Sequence, residues 1–181
     1  ELRLASSGDG PLQYVVGAFY TRETARTSTN VSGFDPDFNL VPTLAPAIGF
    51  GVNDTYKEIA GFGNLTYKFS EAFDLTGGLR IGRISQTYNQ TFYGSDAPAF
   101  NNFLLLSGLD PIPADTGTTR GAETVKTYLL TARYHFSPDG MIYARYATGF
   151  RPGGPNFNVP GLPASFDADS TENFEGGVKT K

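Results

Sequence analysis

The stretch TYKEIAGFGNLTYKF, Thr55 to Phe69, decides the fold. Successive side chains of a β-strand point to opposite faces, so a period of two sorts them. Ile59, Gly61, Gly63, Leu65, Tyr67 and Phe69 make one face without a charge, and Glu58, Ala60, Phe62, Asn64, Thr66 and Lys68 make the other. A helix would return its apolar residues at intervals of three and four, and these do not recur there. The next stretch repeats the pattern, with Phe73, Leu75, Gly77, Leu79 and Ile81 opposing Asp74, Thr76, Gly78, Arg80 and Gly82. Further along, Tyr128, Leu130, Ala132, Tyr134 and Phe136 oppose Thr127, Leu129, Thr131, Arg133 and His135. Ile142, Ala144 and Tyr146 then oppose Tyr143, Arg145 and Ala147.

Working outward, seven stretches read as strands: 1–6, 12–24, 55–69, 73–93, 122–136, 141–150 and 170–181. All 12 prolines fall between them, as expected where a proline would break a ladder. With 15 Phe and 10 Tyr the chain carries too much large apolar surface to stay disordered. No apolar run approaches the roughly 18 residues of a membrane-crossing helix. A net charge of -4 and the lack of a clustered Lys/Arg face argue against a nucleic-acid partner. With 0 Cys there is neither a disulfide framework nor a thiolate metal site.

The connections separate the architectures that alternation leaves open. Residues 6–11, 70–72 and 137–140 are tight turns, whereas 25–54, 94–121 and 151–169 are long, and the two kinds alternate strictly. Outer-membrane barrels have that asymmetry, with short periplasmic turns and long extracellular loops. Phe69 and Phe73 flank one tight turn and Tyr134, Phe136 and Tyr143 another, at the level where a bilayer interface would lie. Several stretches exceed the roughly 9 to 11 residues of a tilted spanning strand, so the excess would project outside. The expected fold is all-β, an antiparallel up-and-down meander of about seven strands forming part of a transmembrane β-barrel. Two alternatives stand beside it: a small structural or adhesive outer-membrane barrel with a complete, even strand count, and a secreted carbohydrate-binding β-sandwich whose apolar faces pack together.

Chemistry is sparse. His135 is the single histidine, beside a tight turn and without evident Ser and Asp partners, so no catalytic residue is assigned. GFRPGG, Gly149 to Gly154, lacks the Lys-Ser/Thr of a phosphate cradle and reads as a strand running into a bend. The acidic pairs Asp35/Asp37 and Asp167/Asp169 are either calcium ligands or ordinary solvated loop charge; neither has the rest of an EF-hand pattern. Asn30, Asn53, Asn64 and Asn89 begin N-x-Ser/Thr triplets, without routine consequence in a Gram-negative host. Phe103 to Leu106 is an apolar run inside a long connection, read as loop packing or a short helix. Phe34, Phe38, Phe100 and Phe157 could line a vestibule for a bulky ligand.

Several strings together carry a family resemblance: ELRLAS at 1–6, GPLQYVVGAFY at 10–20, FGNLTYKFSEAFDLTGGLR at 62–80, MIYARYATGFRPGGPN at 141–156 and FDADSTENFEGGVKTK at 166–181. In that order and spacing they resemble the barrel segment of TonB-dependent outer-membrane receptors. The resemblance implies a 22-stranded barrel around an N-terminal plug, importing a bulky nutrient such as a ferric siderophore across the outer membrane of a Gram-negative bacterium. It implies TonB, outer-membrane lipid and the nutrient as partners, no cofactor and no enzymatic activity. Residues 1–181 are then expected to be an internal piece of the wall, with extracellular loops at 25–54, 94–121 and 151–169, and with the plug that meets TonB carried elsewhere in the parent protein. Lys68, Asp74, Arg80, Arg133, Arg145, Glu175 and Lys179 share the expected inner face. They either pair with the plug or pair across neighbouring strands and keep the lumen wet. No residue within the loops is singled out for ligand contact. An isolated piece would leave two open edges and a broad apolar face, and is expected to aggregate or depend on detergent.

Overall fold

A computed structural model of the chain describes residues 1–156, 162–163 and 165–180. The strands are β1 (Leu2–Ala5), β2 (Leu12–Val31), β3 (Ile48–Lys68), β4 (Phe73–Tyr93), β5 (Asp115–Ser137), β6 (Gly140–Arg151), β7 (Gly154–Pro155), β8 (Ser165–Phe166) and β9 (Asp169–Thr180). Seven of them form one antiparallel sheet in the order β1-β2-β3-β4-β5-β6-β9, while β7 and β8 pair as a small hairpin between β6 and β9. The sheet is open, a partial barrel. A sandwich would need a second sheet against the apolar face, and the seven-stranded sheet has none among the described residues.

Register converts the alternation into two continuous faces. Leu12 stands opposite Tyr67, Tyr20 opposite Ile59, Gly61 opposite Ile81 and Leu79 opposite Tyr128, so the apolar sets of β2 to β5 coincide. Within these four strands the outward face is uncharged over 12–20, 59–67, 73–81 and 128–136, a span of nine residues each time. That is the length a tilted strand needs to cross hydrocarbon. The face is open, with Ile59 63% and Leu65 50% exposed. Rings close the band at both ends. Tyr67, Phe69 and Phe73 touch at the tight-turn end, with centroids 4.8 and 5.5 Å apart, and Tyr146 and Phe174 meet at 4.9 Å at the other.

The strands run further than the alternation indicates. β2 continues to Val31 rather than Thr24, β3 begins at Ile48 rather than Thr55, and β5 at Asp115 rather than Ala122. Residues 25–31 of β2 and 115–121 of β5 carry no hydrophobic period, whereas on the inward face of β3 Ile48, Phe50 and Val52 still alternate with Gly49, Gly51 and Asn53; the ladder continues without interruption from Arg22↔Lys57 to Val31↔Ile48. The long connections accordingly contract to 32–47, 94–114 and 152–168, still alternating with tight turns. The second contains α1 (Ala97–Leu106), opened by Pro98 in its first turn, where a missing N–H costs nothing. The Phe103–Leu106 run is therefore the end of a short helix. Leu104 and Ala97 turn inward onto Phe92 and Ile112, and Ile48, Phe50 and Phe100 pack around them. The Asn101 side chain clamps Ile112 from both sides, accepting from its N–H and donating to its C=O at 2.9 Å each. This small cluster caps the long-connection end; a wall one sheet thick offers little other interior.

Candidate functional site

The seven charges singled out by the sequence share one face. Register pairs Lys68 with Asp74, Asp74 with Arg133, Arg80 with Thr127, Arg145 with Glu175 and Met141 with Lys179. The sheet curls toward this face. A concavity of about 310 Å³ is lined by Arg3 of β1, Phe62 of β3, Arg80 of β4 and Arg145 of β6, five strands round from β1.

Within the face, charge is held by neighbouring strands. Arg80 Nη2 donates to Glu58 Oε1 at 2.5 Å, and Tyr56 OH donates to the other oxygen of that carboxylate at 3.1 Å. The Arg80 guanidinium also lies 4.9 Å from the centroid of Phe19. Glu58 is buried, and its pairing with Arg80 depends on a cross-strand register that alternation within one strand does not reveal. Nearer the tight turns, Arg133 Nε donates to Asp74 Oδ1 at 2.7 Å, and His135 Nε2 stands 3.7 Å from the other oxygen. His135 is thus an inward polar residue attached to a structural carboxylate. Tyr143 OH donates to Glu175 at 2.6 Å while Lys179 lies 5.3 Å over the Tyr143 ring. Lys68 and Arg145 make no ion pair among the described residues.

A second cavity, about 270 Å³, opens where β4 and β5 rise beyond the apolar band. Ile84, Gln86, Tyr88 and Glu123 form its wall, and Gly154 and Phe166 of the β7–β8 hairpin form its cover. GFRPGG builds the bend: β6 ends at Arg151, and the Gly153 N–H donates to Glu123 at 3.1 Å. Glycine is needed at 153, since a Cβ there would stand 2.6 Å from the Phe166 carbonyl oxygen and 2.8 Å from the Ala168 nitrogen. Asp54 Oδ1, also on the inward face, is buried without a hydrogen-bond partner among the described residues.

The aromatic expectation needs correction. Phe34 and Phe38 are exposed on the 32–47 connection, but Phe100 packs against Phe92 at 6.0 Å and belongs to the capping cluster. Phe157 lies outside the described residues. Phe166 lines the second cavity together with Tyr88, and no periodic signal marks it because its strand is two residues long. One carboxylate of each acidic pair is engaged locally. Asp35 Oδ1 accepts from the backbone N–H groups of Asp37 and Asn39 at 3.0 and 2.8 Å, and Asn39 holds its carboxyl below the usual carboxylate range. Asp169 pairs with Arg151.

The fold recurs in known proteins. The family model described as TonB dependent receptor-like, beta-barrel, matches residues 2–181. The pesticin receptor of Yersinia enterocolitica serotype O:8 / biotype 1B is 29% identical over 184 residues, covering 99% of this chain and 23% of that protein. The pesticin receptor of Yersinia pestis matches to the same extent. Among solved structures, the ferric yersiniabactin uptake receptor FyuA from Yersinia pestis matches with a TM-score of 0.70 at 23% identity, over 99% of this chain and 25% of that one. The ferric-catecholate import receptor Fiu from K12 E. coli, in its closed form, gives 0.54 at 19% identity over 83% and 22%. The chain spans about a quarter of the length of these relatives. A seven-stranded meander, apolar on one face and charge-paired on the other, with a match over nearly every residue, makes this chain a member of the TonB-dependent receptor family, within its β-barrel domain.

Proposed function

We propose that the chain is part of the wall of an outer-membrane active transporter, energised through TonB, that imports a bulky nutrient such as a ferric siderophore. The observation that carries this reading is the family match across 2–181, joined to a wall whose apolar runs have spanning length. The relatives' names supply the nutrient class, ferric yersiniabactin for one and ferric catecholates for another. In this reading the tight turns are periplasmic and the connections 32–47, 94–114 and 152–168 are extracellular. The cavity under the β7–β8 hairpin is then part of the vestibule, where Gln86, Tyr88 and Glu123 offer polar contacts and Phe166 an apolar one.

The inner charges divide by role. Asp74, Arg80 and Arg133 are held by the wall itself, whereas Arg145, Lys68 and Lys179 are exposed cations available to a plug carried by the parent protein, which is also the part that meets TonB. An acidic plug group suits Arg145 in the concavity it shares with Arg3 and Arg80, whose charges are met by Glu1 and Glu58. The test is radio-iron uptake from a panel of ferric siderophores in cells that have only the full parent receptor. Uptake of one panel member that stops when TonB is deleted is the expected result. Binding without TonB-dependent uptake across the panel would overturn the iron-import reading.

A further inference from the structure

Beyond the apolar band, charge on the sheet is sorted by sign between the two faces. Register puts Arg22 opposite Lys57, Lys57 opposite Ser85, Ile59 opposite Arg83 and Ile81 opposite Lys126, so these four cations share the outward, apolar-band face. Arg26, opposite Asn53, and Arg120, opposite Thr87, continue that face upward. No acidic residue lies on it along β2 to β4 or along β5 from Thr118 to Phe136. The inward face of the same stretch carries Glu23, Asp54, Glu58 and Glu123 instead.

Such a row has an electrostatic cost. Like charges directly opposite on neighbouring strands destabilise a sheet, and Arg22 and Lys57 are directly opposite. Arg83 and Lys126 extend the row diagonally, at spacings of about 5–8 Å between neighbours. All four are exposed, and none makes an ion pair among the described residues. Immediately below, on the same face, lie Tyr20, Ile59, Ile81 and Tyr128, each at least 44% exposed. An anion that neutralises the row therefore sits where an acyl chain can run down the wall.

We propose that Arg22, Lys57, Arg83 and Lys126 form a docking row for the phosphate groups of a phosphorylated membrane lipid, whose acyl chains lie on Tyr20, Ile59, Ile81 and Tyr128. The proposal rests on the membrane-barrel reading above. Cations just outside hydrocarbon attract lipid phosphates, and guanidinium groups bind them bidentately. Sorting by sign follows from it: the outward cations face lipid headgroups, while the inward carboxylates face the lumen.

The experiment uses the full receptor in detergent, with bis-phosphorylated lipid A, dephosphorylated lipid A and inorganic phosphate as probes. Bound lipid is counted by native mass spectrometry, and folding is checked by the heat-modifiable gel shift of intact barrels. Replacing all four cations, R22Q/K57Q/R83Q/K126Q, is expected to weaken phosphorylated lipid about a hundredfold. Dephosphorylated lipid should bind wild type and variant alike. The charge-keeping variant R22K/K57R/R83K/K126R should retain most of the binding. Should the Gln variant not fold, the wild type still decides: equal binding of the two lipids overturns the proposal, as does displacement of the lipid by millimolar inorganic phosphate. Siderophore uptake by the wild type separates the two readings, since intact uptake without lipid discrimination removes the lipid row and leaves the transporter.

Discussion

Removing the cation from the Arg80–Glu58 pair should cost more than removing the anion, and removing both should recover part of the loss. Glu58 has 9% of its side chain open to solvent and Arg80 has 32%, with 2.5 Å between donor and acceptor. A buried pair broken on one side costs about 3–5 kcal/mol, because a charge is left without its partner. Exposure of the guanidinium lowers that figure, so R80M, which strands Glu58, should cost about 2.5 kcal/mol, including about 0.5 for the contact with Phe19. E58Q leaves the better solvated charge behind and should cost about 1 kcal/mol. The double variant has no stranded charge and should cost about 1.5 kcal/mol, giving a coupling of about 2 kcal/mol. Urea unfolding of the full receptor in detergent micelles, followed by far-ultraviolet circular dichroism, measures all four corners of the cycle. Additivity within about 0.5 kcal/mol would refute the reasoning, since the pair would then contribute nothing beyond its separate groups.

Other outcomes follow from the same geometry. Leu65→Arg, on the open apolar face, should destabilise the barrel in vesicles by about 2–3 kcal/mol, while Asn64→Arg, one residue away and facing inward, should cost less than half of that. Gly153→Val should push the β7–β8 hairpin off β4 and β5, read as faster proteolysis of the 152–168 connection and weaker ligand binding. Because the Asp35 carboxyl titrates below its usual value of 3.8, its contribution to the 32–47 turn is present above that pH and is lost as pH falls through the lowered value. Protection of the Asp37 and Asn39 amides, taken relative to their intrinsic exchange rates, should therefore fall on acidification below about 3.8, and D35A should remove that acid-dependent loss of protection. The isolated segment should require detergent, and a monodisperse monomer in plain buffer would count against the membrane reading.

How much of this was legible in the sequence depends on where water lies. Across the nine-residue runs one face is dry and the other wet, so alternation at Leu65, Tyr67 and Phe69 against Asn64, Thr66 and Lys68 fixes strand, face and order. Beyond Tyr20 the β2 residues show no apolar period, and in β3 the short alternation of Ile48, Phe50 and Val52 lies in a stretch read as a loop, so the sequence reading stops about seven residues short at 24 and at 55. The inner face was legible as a set of charges but not as pairs, because Glu58 meets Arg80 through a register that no single strand encodes. Phe166 was missed for the opposite reason: β7 and β8 are two residues each, too short for any period to show.

The equal length of the apolar run on four adjacent strands has a mechanical consequence. Nine residues rise about 27 Å along a strand, or roughly 21 Å along the bilayer normal at a tilt near 40°. Hydrocarbon averages about 30 Å, and bacterial outer membranes are thinner than that. A wall with a level rim on four strands has no longer side to lean on, so it cannot relieve mismatch by tipping. Placed in a thicker membrane, it would have to pinch the lipid along all four of these strands, at a cost that accumulates with every ångström. The same residues that let the wall cross a membrane therefore also select the thickness of membrane in which it can reside.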